Sequence, residues 1–106
     1  MAKTSPTQRT LKALRKHYDV VWITEHWNHF ARKRQDLFGI IDIVALGPGY
    51  TLGVQCTTFD NRLARVKKIK ESGMLPRLSE ANWRVQVWGW KKVKNRWECD
   101  IIGVEE

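Results

Sequence analysis

No apolar run in this sequence is long enough to span a bilayer, so it offers no candidate transmembrane segment. Its first residues lack an apolar signal core, and secretion is not expected. Cysteine is scarce. Cys56 and Cys99 lie in strand-like runs without metal-type spacing, and read as small buried residues of a reducing, cytoplasmic compartment. His17, His26 and His29 also lack a metal-ligand spacing. There is no internal repeat and no low-complexity segment. Acids are few, with 11 Asp plus Glu against 19 Lys plus Arg and a formal net charge of +8.

What is present points to one folded unit. The chain has 106 residues, 42% of them hydrophobic, with six tryptophans, which argues against disorder and for one modest core. The positive balance favours a polyanionic partner, most simply nucleic acid, and the plainer alternative is a charge that only aids solubility.

Residues 1–3 are expected to be loose. Thr4-Ser5-Pro6 reads as a helix start, a hydroxyl cap followed by a proline whose missing N–H costs nothing in the first turn. Leu11 and Leu14 then give a narrow apolar stripe for a helix over about 7–17, and its basic face either touches phosphate or is simply solvated. Val20 to Glu25 is β-branched and aromatic and predicts a strand, with Glu25 at its end. Residues 26–35 read as a polar connection carrying Trp27, Phe30 and the cations Arg32, Lys33 and Arg34. Cations beside aromatics are a nucleic-acid footprint, and equally the make-up of a solvated loop.

Two strands follow, over 38–46 and 51–57, joined as an antiparallel hairpin by Pro48-Gly49. A helix is expected over 61–72, capped by Thr58 or Asp60 and ended by Gly73, with Leu63, Val66 and Ile69 on its apolar side. A short helical turn over 75–81 precedes two closing strands, 83–90 and 97–104, linked by the basic loop Lys91 to Arg96. The tryptophans read as core and sheet-face filling. A strand, crossover helix and strand in one sheet connect in parallel. The expected architecture is therefore α/β (α+β): one domain over 1–106 with an αβββαβ-type core, a central mixed sheet flanked by helices, and an extra C-terminal strand.

Asp42 and Gln55 interrupt otherwise apolar strands. A buried carboxylate is costly unless it is paired or holds a metal, so Asp42 is the first site candidate, against the alternative of a carboxylate hydrogen-bonded to an arginine or to backbone amides. Neighbouring strands lie about 4.8 Å apart, so Asp42 and Gln55 can share a hard cation if their registers align, with Glu25 approaching from the first strand. Asp36 reads as a turn or loop residue, with a site residue as the lesser alternative.

The element order, with Asp42 in the second strand and Gln55-Cys56-Thr57 at an acid-x-lysine position in the third, resembles the PD-(D/E)XK nuclease superfamily. It is most similar to the small phage and prokaryotic Holliday-junction-resolvase-like and VRR-type nucleases. The resemblance implies an endonuclease that uses Mg²⁺ or Mn²⁺ to hydrolyse DNA, branched or single-stranded DNA included, in a prokaryotic or phage-infected cytoplasm. By that pattern Asp42 binds the metal, Gln55 takes the second acidic position, and the Cys56 backbone carbonyl is a third ligand. The lysine position falls on Thr57, which carries no charge, and Lys68 on the next helix is the preferred substitute, with Arg65 and Lys67 behind it. The first helix lacks the family glutamate, and Glu25 is the nearest replacement. Arg32, Lys33, Arg34, Arg65, Lys91, Lys92 and Lys94 would hold the DNA backbone. Resolvase-like relatives act as dimers, so a homodimer is compatible with the resemblance. Two other readings remain: a non-catalytic nucleic-acid-binding module on the same fold, and a small assembly protein using its tryptophan-rich last strands.

Overall fold

Described over residues 5–106 in a computed structural model, the chain begins with a capped helix. The expectations for residues 1–3 and for Thr4 fall outside the described residues. Ser5 accepts the Gln8 N–H at 3.1 Å and Pro6 opens α1, Pro6–Leu14. The helix stops short of the expected residue 17. Lys16 and His17 bond three residues back instead of four, which tightens the last turn and sends Tyr18 to the Tyr50 hydroxyl at 2.7 Å.

Seven strands follow. They are β1 (Val21–Ile23), β2 (His26–Asn28), β3 (Lys33–Gln35), β4 (Ile43–Gly47), β5 (Tyr50–Thr58), β6 (Trp83–Val93) and β7 (Arg96–Gly103). Helices α2 (Arg62–Glu71) and α3 (Leu75–Glu80) lie between β5 and β6, α2 after a 3₁₀ turn at Phe59–Asn61. Five strands form one mixed sheet in the order β1-β4-β5-β6-β7, and only β5 and β6 run parallel, as a helical crossover requires. The fold is α+β, with helices on both faces of the sheet.

Alternation along the strands sorts the core into two layers. Leu52, Val54 and Cys56 of β5 face α1, where they join Leu11, Leu14, Ile43, Ala45 and Trp88. The opposite face receives Ile69 of α2 and Leu75 and Leu78 of α3 against Ile41, Val85, Val87 and Val104. Each such buried aliphatic contributes about 1.5–3 kcal/mol. Gly53 keeps the second layer tight, because a Cβ there would stand 2.7 Å from Ile41 Cδ1. Gln55 and Thr57 also point to the α2 face, and both are buried.

Four local expectations are corrected. Residues 38–40 are a turn, not the start of a strand. Phe38 (φ 57°) and Gly39 (φ 75°) are left-handed, and Leu37 and Ile41 bond each other across them. Residues 26–35 are a β-hairpin rather than an irregular connection, with β2 and β3 paired His26↔Gln35, Trp27↔Arg34 and Asn28↔Lys33. The basic segment 91–96 is mostly strand, since Lys94 and Asn95, both left-handed, make a two-residue turn and the flanking residues pair. Neither Thr58 nor Asp60 caps α2, whose cap residue Asn61 makes no side-chain bond, and Leu63 is exposed, so α2 buries a narrower stripe than its spacing suggests.

The tryptophans divide. Trp88 is buried, whereas Trp22, Trp27 and Trp97 are exposed, Trp97 beneath the Arg9 guanidinium at 3.3 Å. Among the described residues no helix is long and apolar enough to cross a membrane.

Candidate metal centre

Asp42 is the last residue before β4, and its backbone is fixed on both sides. Its N–H donates to Val54 O at 2.9 Å, and its carbonyl accepts from Thr24 N–H at 2.7 Å and Glu25 N–H at 3.3 Å. The first bond continues the β4–β5 ladder past Ile43↔Val54 and sets Asp42 beside Gln55. The other two staple the end of β1 to the start of β4, so Glu25 emerges next to Asp42. The β2–β3 hairpin adds a third acid. One step beyond its His26↔Gln35 pair stand Glu25 and Asp36, so both feet of the hairpin are carboxylates. The turn at Phe38-Gly39 then returns the chain from Asp36 to Asp42. One oxygen each from Glu25, Asp36 and Asp42 lies within 4.8 Å of the others, a cluster able to hold a metal ion.

Asp42 is 3% exposed and Gln55 is 1% exposed. Asp42 Oδ2 accepts from Gln55 Nε2, at 2.6 Å, and from the Cys56 N–H, at 2.8 Å. Gln55 Nε2 also donates to Asp36 Oδ2 at 3.3 Å. Burial pushes the Asp42 carboxyl up to about 8, and the Asp36 carboxyl beside it adds to the rise, while the Cys56 and Gln55 donors pull the other way. The buried Asp42 carboxyl thus retains its proton near neutrality.

The Gln55 amide gives an independent sign. Its Nε2 serves two carboxylates, and its Oε1 is buried with no hydrogen-bond partner. An orphan buried oxygen is costly. Rotation about the terminal torsion exchanges the two atoms and turns that oxygen toward the carboxylates, where a cation would bridge it to them. The Cys56 N–H faces Asp42, and in an extended strand a residue's carbonyl points to the same side as its N–H, so the Cys56 carbonyl faces this edge as well. Both features fit a hard, oxygen-seeking cation.

Cations ring the cluster. Arg34 Nη1 meets Glu25 Oε1 at 2.8 Å, so Arg34 is tied to the cluster rather than free. Lys68 Nζ, from α2, stands 3.8 Å from Asp36 Oδ2. Arg65 is half-buried one turn earlier on α2, and Lys67 pairs instead with Glu71 at 3.8 Å. Thr57 is buried on the same face and brings no charge.

Arg32 and Lys33 are exposed on the β2–β3 hairpin, which leaves the sheet at the end holding the acids. β6 overruns β5 at that same end. The last parallel pair is Thr58↔Trp90, and Lys91, Lys92 and Lys94 lie beyond it, with Lys91 Nζ 4.1 Å from the centre of the Phe59 ring. Two basic ribbons therefore flank the acid cluster, one from each side of the sheet.

Asp36 joins the cluster although the sequence favours a turn residue there over a site residue. Its signal is present but weak: an acid six residues before Asp42, with a glycine at a left-handed turn between them. Compared with known protein families, with curated proteins and with solved structures, the chain matches none.

Proposed function

We propose that this chain is a metal-dependent nuclease of PD-(D/E)XK type that hydrolyses phosphodiester bonds in DNA. The observation that carries the reading is the convergence of three carboxylates beside a buried amide whose oxygen has no partner, between two cation-bearing ribbons. Glu25, Asp36, Asp42, the Gln55 oxygen and the Cys56 carbonyl would hold Mg²⁺ or Mn²⁺. A bound ion of this kind polarises a phosphoryl oxygen and lowers the pKa of its water.

The chain's own residues supply the rest. Asp36 restores the negative charge that glutamine, in place of glutamate, removes at position 55. Arg34 fixes Glu25 by a 2.8 Å ion pair, which holds that carboxylate toward the cluster. Lys68 takes the part of the absent lysine at Thr57: beside Asp36, it is positioned to offset charge developing on a phosphate. Arg32, Lys33, Lys91, Lys92 and Lys94 contact the backbone without reading sequence, so selectivity follows DNA shape. The free thiols of Cys56 and Cys99 fit a reducing cytoplasm.

One observation favours a second reading, a binding module without catalysis: the strand position next to the site holds buried, uncharged Thr57. A single assay separates the two. Branched, single-stranded and linear DNA, with RNA alongside, are incubated with Mg²⁺ or Mn²⁺ and wild type or Asp42→Asn protein. Cutting by wild type that the variant loses while still binding supports the nuclease. Binding without cutting by wild type on every substrate and with either metal supports the module.

A further inference from the structure

We infer that Phe30, at the tip of the β2–β3 ribbon, is a base-stacking residue that selects nucleic acid with an unpaired or splayed base near the acid cluster. The inference rests on the nuclease reading for the cut, but its binding half stands on the ribbon alone.

The ribbon is built to hold that ring in water. Phe30 is fully exposed, and Trp27 on the same ribbon is half exposed. Such a tip would ordinarily be flexible, yet this one is braced. Asn28 Oδ1 accepts the Phe30 N–H at 2.9 Å and the Ala31 N–H at 3.0 Å, closing the turn. Asn28 Nδ2 donates to Gln35 Oε1 at 2.9 Å, locking the turn to the opposite strand. Arg32 then takes a left-handed conformation, φ 52°, to bring the chain back. At the other end Arg34 is anchored to Glu25. The ring gains no burial within the monomer, and with Trp27 it puts two exposed aromatics on one short cationic ribbon, the combination that points to a partner.

The neighbours say which partner. Arg32, Lys33 and Arg34 follow the ring after Ala31, and Arg34 lies opposite Trp27. An aromatic face beside guanidinium and ammonium groups matches a base and its flanking phosphates. In a continuous duplex the base faces are already stacked, so the ring finds its partner only where a base is unpaired, as at a branch, a flap or a single strand. The ribbon fixes the distance: its feet are Glu25 and Asp36, and the tip stands about 15 Å away at the rise of an extended strand. The displaced base and the scissile phosphate are thus held by the two ends of one rigid element.

The test is binding without metal, so that no cutting intervenes. Fluorescently labelled forked DNA, with 2-aminopurine at the unpaired position, and a fully paired duplex of equal length are titrated in EDTA with wild type, Phe30→Ala and Phe30→Trp protein. Phe30 is fully exposed, so the variants fold as wild type does, which thermal unfolding checks. Expected is a loss of about 10- to 100-fold on the fork for Phe30→Ala. Duplex affinity should stay within about twofold, since phosphate contacts carry it. Phe30→Trp should restore fork binding and the quenching of 2-aminopurine. Equal losses on both DNAs, no loss on either, or no DNA binding by wild type overturns the inference. So does a loss confined to phosphatidylserine–phosphatidylcholine vesicles, which would make the tip a membrane anchor. The two readings fail separately. Fork preference that depends on Phe30 with no cutting in Mg²⁺ or Mn²⁺ removes the nuclease alone. Asp42-dependent cutting that is indifferent to Phe30 removes the stacking residue alone.

Discussion

Replacing Asp42 with asparagine should stabilise the metal-free protein at alkaline pH while removing its response to divalent ions. The carboxyl is buried and its pKa stands at about 8, against an ordinary value of 3.8. The direction follows from proton linkage. Between those values the unfolded chain has released the proton and the folded chain still holds it, so stability falls as pH rises. The full contribution is present below pH 4 and is lost by the time pH passes through about 8. Each pKa unit is worth about 1.4 kcal/mol, which sets a ceiling of about 6 kcal/mol over the whole span. Lys68 and the partly exposed Asp36 carboxylate admit solvent and counter-charge beside the buried group. Three of those units lie between pH 5 and pH 8, about 4 kcal/mol, and halving this for solvent screening gives an expected loss of about 2 kcal/mol. Asparagine imitates the protonated acid: it stays neutral, and its oxygen can still accept the Cys56 N–H. Urea unfolding at pH 5, 7 and 8.5 in EDTA should therefore show wild type losing stability with pH while Asp42→Asn stays level. The curves should meet near pH 5, with the variant about 2 kcal/mol ahead at pH 8.5. Millimolar Mg²⁺ or Mn²⁺ should recover about 1–2 kcal/mol for wild type by mass action and nothing for the variant. A level wild-type profile, with Asp42→Asn the weaker protein at pH 8.5, would refute the argument.

Other perturbations test neighbouring links. Gln55→Glu adds a fourth carboxylate to an already crowded trio, so calorimetry should show divalent affinity rising about tenfold, or about 1.4 kcal/mol, with lower stability in EDTA. Lys68→Ala should slow single-turnover cleavage about 100-fold and leave DNA affinity within a few-fold, because the lysine serves the transition state more than binding. Replacing Lys91, Lys92 and Lys94 with alanine should flatten the log–log salt dependence of duplex binding by about 0.9 for each phosphate no longer neutralised, read by anisotropy across a salt series. Ile69→Ala empties a fully buried position between α2 and the sheet and should cost about 2–5 kcal/mol in urea unfolding without changing the pH profile of Asp42.

The sequence alone determined the elements whose signals are local. The apolar runs of β5 and β6, the Pro48-Gly49 turn and the glycine that ends α2 are written in neighbouring residues, and the parallel pairing of β5 with β6 follows from the helices between them. The polar interruptions at Asp42 and Gln55 were equally visible, because an acid and an amide stand out in buried strands. Only the tertiary structure decided what surrounds them. The β2–β3 ribbon is solvated and mostly polar, so it has no apolar alternation to betray it, and its pairing depends on a turn that Asn28 closes with its own side chain. The left-handed step at Phe38-Gly39 lies hidden in a run of apolar residues that reads as strand. Those two features bring Asp36 to Glu25 and both to Asp42, and the ribbon carries Phe30 at its tip. Carboxylates 6 to 17 residues apart in the chain become neighbours through backbone pairing, and pairing register is set by hydrogen bonds between strands rather than by any residue's own preference.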